Sequence, residues 1–207
     1  MTAQSNPTRL LLVRHGESTW NHERRIQGQL DPPLSERGRE QAKRVAARFR
    51  NHPAAALYAS DLVRTRETAG PLERILGITA VPERQLREIS LGRWEGKTRE
   101  ELMSEFPKLW EAWTHEPDWD LVPEGEGADR FEQRVRAIID SLFQRHPGRD
   151  VVVVTHGGVI QSALAGVVGR RTRGLFPFVI HNASLTVLQR LDGRTVVTTV
   201  NDTCHLV

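Results

Sequence analysis

The 207-residue sequence predicts an α/β fold, a three-layer sandwich with a mainly parallel central sheet and helices on both faces. The main observation is that short continuous apolar runs, typical of strands buried on both faces, alternate with segments that carry apolar residues at helical spacing. A second observation is a pair of strand-like segments near the end, joined by Asp192-Gly193, which is a hairpin turn signal. The hairpin is therefore expected at one side of the sheet.

In the first half of the chain, three strands are predicted, at Leu10–Val13, Ala54–Ala59 and Ala80-Val81. The residues from Glu36 to Asn51 are predicted to form a helix, because apolar side chains recur at helical spacing and Ser35 can cap its start. A second helix is predicted to begin at Ser60-Asp61 and to run to Leu76. Gly70-Pro71 lies inside this helix and is expected to kink or split it.

In the second half, an amphipathic helix is predicted from an apolar stripe at Phe131, Val135, Ile138, Ile139 and Leu142. Val151–Val154 is the strongest strand signal in the sequence, and an apolar helix is predicted directly after it. The two strands of the terminal hairpin are expected at Leu185–Leu191 and Thr195–Val200.

The stretch from Gly92 to Gly127 breaks this alternation and is rich in Trp, Pro and Glu. We expect a helical insertion packed over the edge of the sheet, which makes residues 92–127 a candidate lid on a single domain spanning 1–207. The alternative is that most of the tryptophans only form a small satellite core. Packing is favoured for Trp110 and Trp113. For Trp94, both packing and contact with a bound ligand are left open.

Composition and charge exclude several classes of protein. Apolar residues make up 38% and charged residues 27%, as in soluble globular proteins, and no apolar run approaches a membrane span. Lys and Arg exceed Asp and Glu by 29 − 26 = 3, but arginines alternate with glutamates as on solvated helix faces. Neither nucleic acid nor a membrane is therefore expected as a partner. With no export signal and a single cysteine, Cys204, a cytoplasmic location without disulfides is expected.

Polar side chains converge after three predicted strands. His15 and His156 each come directly after a buried strand and are each followed by glycine. Ligands in open α/β sheets bind beyond the carboxyl ends of the strands, so the two imidazoles lie side by side if their strands are neighbours. Arg14 precedes the first histidine, and Arg64 follows the Ala54–Ala59 strand. Two imidazoles and two guanidiniums are thus expected in one place.

This set of side chains is suited to a tetrahedral phosphate. Two guanidinium groups match the oxygens of a phosphate dianion and stay charged at any relevant pH. The glycine after each histidine should let backbone N–H groups approach the anion, and helix N-termini add partial positive charge. Metal binding by His15 and His156 is the chemical alternative, but two flanking arginines disfavour a cation. No metal and no cofactor are expected, and His181 is left open as a residue of the rim.

The segment Leu12–Asn21, LVRHGESTWN, closely resembles the opening signature of the histidine phosphatase superfamily, which includes the cofactor-dependent phosphoglycerate mutases. The resemblance covers nearly the whole chain, and further blocks follow in the expected order: Leu34–Gly38 (LSERG), Ser60–Thr65 (SDLVRT), Leu86–Glu88 (LRE) and Thr155–Gly158 (THGG). Four ordered blocks after the opening make this a specific signal.

The resemblance implies a metal-independent phosphoryl transfer in which His15 attacks phosphorus and forms a phosphohistidine intermediate. It also implies a cradle for the phosphoryl group, made by Arg14, Arg64, His156, Asn21 and the backbone of Gly157. Glu88 is implied as the general acid and base. The residues alone do not choose Glu88 over other glutamates near it in sequence, namely Glu17, Glu83 and Glu95.

Departures from the mutase pattern favour a phosphatase. In mutases the catalytic glutamate is typically followed by Arg-x-Tyr-Gly, and here Ile89 and Leu91 stand at the arginine and tyrosine positions. Lys97 follows Gly96 directly, so the Asn-Lys pair of mutases is missing. No adjacent arginine pair occurs in the insertion either. We therefore predict a phosphomonoesterase, with a phosphoglycerate mutase as the alternative and a non-catalytic phospho-ligand binding module as a third reading.

The leaving group is not specified by the sequence. Any small-molecule phosphate monoester presents the same dianion to the Arg14 and Arg64 pair. Discrimination between substrates is expected from the insertion and from Gln27 and Gly28. Related proteins are often dimers, so a homodimer is left open.

Overall fold

The computed structural model describes residues 6–171, 173–174 and 177–207. The strands in these ranges are β1 Thr8–Arg14, β2 Ala54–Ala59, β3 Val81–Pro82, β4 Asp150–Thr155, β5 Leu185–Leu191 and β6 Arg194–Asp202. The α-helices are α1 Thr19–His22, α2 Glu36–Ala47, α3 Val63–Leu76, α4 Arg99–Glu105, α5 Pro107–His115, α6 Ala128–Arg145 and α7 Gly157–Val167. Short 3-10 helices lie at Arg84–Leu86, Gly92–Trp94, Trp119–Leu121 and Cys204–Leu206.

The strands form one mixed sheet in the order β3-β2-β4-β1-β5-β6. β1, β2, β3 and β4 are mutually parallel where they pair, whereas β5 is antiparallel to both β1 and β6. The predicted fold class is therefore confirmed, including the terminal hairpin at one side of a mainly parallel sheet. β1 lies in the middle, between β4 and β5, which accounts for its continuous apolar run.

Helices cover both faces of the sheet because successive strand residues point to opposite sides. Leu10 and Leu12 of β1 belong to the core cluster that contains the apolar stripe of α6 and the inner face of α7. Leu11 and Val13 belong to the second cluster, which is closed by α2 and α3. These four side chains are at most 6% exposed, so β1 is buried on both faces.

The register of β1 and β4 fixes the position of the residues that follow them. Arg14 pairs with Thr155 at the carboxyl ends of the two parallel strands. The next residue on each strand is His15 and His156, so the two histidines leave the sheet side by side. The predicted proximity of the two histidines required β1 and β4 to be neighbours, and these strands do pair.

Two local predictions, the start of α3 and the end of α2, were wrong in detail, and the split predicted as one of two possible effects of Gly70-Pro71 is not found. α3 is capped by Leu62 rather than by Ser60-Asp61, because the serine hydroxyl and the aspartate carboxylate bind other partners. Pro71 does not split α3, and apolar residues on both sides of it, Ala69 and Leu72, pack into one core cluster. The α2 helix ends at Ala47, before Asn51, whose φ of 63° is incompatible with a right-handed helix.

The stretch from Gly92 to Gly127 is helical, with α4 and α5 packed beside the main core. Its tryptophan rings contact one another, with centroid distances of 5.3 Å for Trp94–Trp113 and 4.6 Å for Trp113–Trp119. Trp94 is 1% exposed and belongs to the same core cluster as β1 and α6. The aromatic side chains of this stretch therefore extend the main core. Among the described helices, none has the length and apolar character needed to cross a membrane.

Candidate active site

His15 is held as a neutral ring at the carboxyl end of β1. The side chain is 3% exposed, and Nδ1 lies 2.7 Å from the carbonyl oxygen of Gly16. Because a carbonyl only accepts hydrogen bonds, Nδ1 carries the proton and Nε2 keeps its lone pair. Burial, followed by the charges of Arg64 and Arg14, holds the pKa of His15 well below its ordinary value of 6.5. The ring is therefore neutral at neutral pH, with a lone pair on Nε2 that is available for bonding.

Two buried guanidinium groups flank this ring. Arg14 donates from one terminal nitrogen to the carbonyl oxygen of Ile180 at 2.5 Å. Arg64 is 1% exposed and donates to the carbonyl oxygens of Leu30 and Gly28, each at 2.8 Å. Burial lowers the pKa of both arginines, to about 10 for Arg64, with Glu88 acting in the opposite direction. Both groups remain cationic at neutral pH.

His156 follows β4, and its ring centroid lies 5.2 Å from that of His15. Its Nε2 lies 2.9 Å from the hydroxyl oxygen of Ser60, which is fully buried. Among the described residues this hydroxyl has no other side-chain hydrogen bond, so Nε2 is the available acceptor for its proton. His156 is then neutral with its proton on Nδ1, in agreement with a pKa held well below 6.5 by burial and by Arg64, His15 and Arg14.

Three buried donors of this cluster lack a partner among the described protein atoms: Arg14 Nε, Arg64 Nε and His156 Nδ1. Leaving a buried donor without an acceptor costs roughly 1–3 kcal/mol for a neutral group and more for a charged one. Folded proteins tolerate such groups mainly where a ligand satisfies them. Two positive charges and three donors without a partner among the described atoms together suit a dianion.

Glu88 faces the same cavity from the loop after the 3-10 helix Arg84–Leu86. One carboxylate oxygen accepts the backbone N–H of Gly158 and the other that of Ile89, both at 3.0 Å. A Cβ at Gly158 would lie 2.2 Å from Glu88 Oε1, so this approach requires glycine there. The carboxylate is thus tied to the first turn of α7, beside His156.

The other glutamates considered from the sequence have different positions. Glu95 accepts the backbone N–H groups of Gln29 and Leu91 at 2.9 and 2.8 Å. Glu17 accepts the hydroxyl of Ser35 at 2.8 Å. Neither of them, nor Glu83, lines the cavity that contains His15. Glu88 is the glutamate that does.

Asn21 and Gln27 are held at the cavity through Ser18. The Ser18 hydroxyl accepts the backbone N–H of Asn21 at 3.0 Å and lies 2.8 Å from Gln27 Oε1. Gly28 has a φ of 51°, and a Cβ there would lie 2.0 Å from Glu95 Oε1. Its carbonyl oxygen is the one that receives Arg64. Gly157 is the first residue of α7. Because glycine has no Cβ, Arg14 Nε can lie close to it.

These residues surround a cavity of about 300 Å³. Every residue predicted for the site lines it except His156, which is fully buried beside His15. Side chains that were not predicted complete the wall: Arg25, Ile26, Ile89, Leu91, Trp119, Gln161 and Ile180. His181 is exposed and does not line the cavity.

One expectation about glycine was wrong. The N–H of Gly16 donates to Thr68 Oγ1 at 3.0 Å and is not available to an anion. Glycine is needed there for packing, because a Cβ would lie 2.4 Å from the carbonyl oxygen of Gly38. Gly157, the glycine after the second histidine, does stand at the start of a helix beside Arg14.

Sequence reasoning missed the residues that support the site. Arg134 of α6 donates to the carbonyl oxygens of Arg87 and Glu88 at 2.7 and 2.9 Å and pairs with Glu126. Glu126 in turn accepts the backbone N–H of Ser90 at 3.2 Å. Asn182 donates to the carbonyl oxygen of His15 at 3.2 Å and to Asn21 Oδ1 at 3.1 Å. These contacts join distant segments, and no local pattern indicates them.

Within the described residues, no group of three or more His, Cys, Asp or Glu side chains is arranged to hold a metal ion. The donors of the cavity are instead cationic or neutral N–H groups. Their chemistry suits an anion.

Comparisons with known proteins agree with this arrangement. The model of the histidine phosphatase superfamily (branch 1) matches residues 10–203. Phosphoserine phosphatase 1 of Hydrogenobacter thermophilus is 34% identical over 198 residues, which cover 96% of this chain and 94% of that protein. A Yersinia pestis protein named probable phosphoglycerate mutase GpmB is 34% identical over 203 residues, covering 94% of this chain and 93% of its own. The solved structure of Bacillus stearothermophilus YhfR has a TM-score of 0.88 and 34% identity, covering 96% of this chain and 99% of that one.

Proposed function

The chain belongs to the histidine phosphatase superfamily, and we propose that it is a metal-independent phosphatase that hydrolyses small phosphate monoesters through a phosphohistidine intermediate on His15. One observation carries this proposal: the buried, neutral His15 ring lies beside three unpartnered donors, on Arg14, Arg64 and His156. A phosphate dianion offers the acceptors that these donors lack.

In the first step, His15 Nε2 attacks phosphorus while the bond from phosphorus to the ester oxygen breaks. The leaving oxygen takes a proton from Glu88, because an alkoxide is a poor leaving group. Arg14, Arg64 and His156 Nδ1 stabilise the negative charge on the phosphoryl oxygens. The proton stays on His15 Nδ1, which donates it in a hydrogen bond to the carbonyl oxygen of Gly16, so the ring becomes cationic when the phosphorus–nitrogen bond forms.

In the second step, water attacks the phosphohistidine. Glu88, now ionised, takes a proton from that water as the bond between phosphorus and Nε2 breaks. Inorganic phosphate leaves and His15 returns to its neutral form. Glu88 is then protonated again, ready for the next ester.

The mutase reading differs only in the acceptor of the phosphoryl group. It is supported by the similarity to relatives named as phosphoglycerate mutase-like or probable phosphoglycerate mutase. We favour the phosphatase because Ile89 and Leu91 line the cavity, where a phosphoglycerate carboxylate needs polar or cationic partners.

The test is a panel of phosphomonoesters assayed with EDTA, using the unaltered protein and His15→Ala. We expect turnover that survives chelation and disappears in the variant, together with acid-labile phosphate on His15 after brief incubation with labelled ester. Turnover that requires added metal, or that persists in His15→Ala, would contradict the proposed mechanism. Interconversion of 2- and 3-phosphoglycerate faster than ester hydrolysis would favour the mutase.

A further inference from the structure

One part of the cavity wall consists of apolar side chains. Ile26, Leu91, Trp119 and Ile180 line this side. Leu91, Trp119 and Ile180 are 9%, 8% and 4% exposed, so they are core side chains that present only one edge to the cavity. The part of a leaving group that reaches these side chains therefore contacts hydrocarbon.

This wall is held in place by neighbouring contacts. The N–H of Ile26 donates to the carbonyl oxygen of Lys97, and that of Gly96 to the carbonyl oxygen of Ile26, at 2.9 and 2.8 Å. The ring of Trp119 packs against Trp113 at 4.6 Å. These contacts disfavour a local rearrangement that would replace the apolar side chains of the wall with polar ones.

Arg25 is the one further cation among the described residues that line the cavity, and it already pairs with two carboxylates. One terminal nitrogen donates to the carbonyl oxygen of Gly96 at 2.8 Å and to Glu101 at 2.9 Å, and Nε donates to Glu23 at 3.2 Å. One guanidinium and two carboxylates leave this group with a net charge of −1. An added substrate carboxylate is repelled rather than paired.

Three side-chain amides also line the cavity: Asn21 and Gln27, which hydrogen-bond Ser18, and Gln161. Gln161 donates from Nε2 to the carbonyl oxygen of Phe178 at 2.5 Å. By sequence, none of the residues outside the described ranges is a lysine or arginine. A carboxylate on the leaving group would lose hydration here without gaining a positively charged partner.

We infer that the substrates are phosphate monoesters of uncharged, apolar alcohols or phenols, and that a carboxylate on the leaving group disfavours binding. This inference rests on the proposed function and specifies the substrate class. It separates this chain from the activity named for its phosphoserine phosphatase relative.

The first experiment compares kcat/KM for benzyl phosphate and 4-carboxybenzyl phosphate. The two esters have nearly the same leaving oxygen and differ by one charge at the far end. We expect benzyl phosphate to be preferred by about tenfold or more, the range that one unfavourable group costs in a pocket. Phosphoserine should be as poor a substrate as the carboxylated ester.

A charge placed on the wall tests the cause of the preference. Leu91→Lys gives the carboxylate a partner, so the preference should shrink by about fivefold or more, as expected for a newly paired charge. Met103→Lys is the matched control, because it adds the same charge on α4 at a residue that is 50% exposed and outside the cavity. The control should keep the preference of the unaltered protein.

The outcomes separate this inference from the proposed function. Equal or better turnover of 4-carboxybenzyl phosphate or phosphoserine, with phosphate trapped on His15, overturns the substrate class alone. Loss of phosphoserine turnover in Arg25→Gln would then identify Arg25 as the carboxylate partner. No hydrolysis of any ester and no phosphohistidine overturns both proposals.

Discussion

At the scale of single residues, burial sets the protonation of the two histidines. His15 and His156 are 3% and 0% exposed and lie beside two guanidiniums, so the folded protein keeps both rings neutral. The same residues in an unfolded chain take up a proton near pH 6.5. The burial that keeps these rings neutral therefore also makes the free energy of unfolding sensitive to acid.

We predict that the free energy of unfolding decreases as pH falls below about 6.5, with a slope of up to ~2.7 kcal/mol per pH unit from two protons. The sign follows because both folded pKa values are lowered, so the unfolded state binds more protons in this range. Urea unfolding at several pH values, without phosphate in the buffer, measures the slope.

The double variant His15→Gln/His156→Gln should have a shallower slope over the same range. His22→Gln is the control, since its side chain is 78% exposed and should leave the slope unchanged. An unaltered slope in the double variant would show that other groups cause the acid sensitivity.

At the scale of elements, the Glu88 loop is held by α6, which packs on the face of the sheet that carries Leu10 and Leu12. Arg134 of α6 binds the carbonyl oxygens of Arg87 and Glu88 and pairs with Glu126, so it ties the loop to the body of the molecule. Arg134 touches the backbone of the loop and is a positioning residue.

Arg134→Gln is expected to lower kcat for a phosphomonoester by about tenfold or more, because misplacement of an acid/base group reduces proton transfer. It should also reduce stability by roughly 1–3 kcal/mol, since buried carbonyls lose their donors. Arg136→Gln on the same helix is the matched control, with a side chain that is 86% exposed. Equal kcat for the two variants would argue against a positioning role.

The strands and the paired histidines could be predicted from the sequence, whereas the strand order could not. The apolar run in β1 and the valines of β4 predict two buried strands, and the polar residues that follow them predict the paired histidines. The order of strands depends on contacts between distant segments, so adjacency of β1 and β4 could only be stated as a condition. The choice of Glu88 needed the family signature. Arg134 lies 46 residues from Glu88, and nothing local distinguishes it from other arginines of α6.

At the scale of the whole molecule, the stretch 92–127 and the sheet share one core cluster. Trp94 and Trp119 belong to the same cluster as Leu10 and Phe131. A small independent subdomain would instead have its own separate cluster. We therefore expect one domain spanning 1–207, with a lid-like stretch that moves little unless its aromatic contacts break.

This expectation can be tested by equilibrium unfolding in urea with two probes. Four of the five tryptophans are Trp94, Trp110, Trp113 and Trp119, so fluorescence mainly reports on the 92–127 stretch and far-UV circular dichroism on the entire fold. The two transitions should coincide, as for a two-state domain. A fluorescence transition at lower urea would indicate that the stretch unfolds on its own.

The adjacency of β1 and β4 has a consequence for biosynthesis. Arg9 pairs with Asp150, 141 positions later, and β5 must then close the other edge of β1. A ribosome that has made only the first 149 residues has released His15, Arg14 and Arg64, but not the neighbouring strand, His156 or α7. Such long-range pairing slows folding, because the entropy of closing a long loop is lost before the stabilising contacts between the strands form. A nascent chain therefore lacks a complete site until β4, His156 and α7 have emerged.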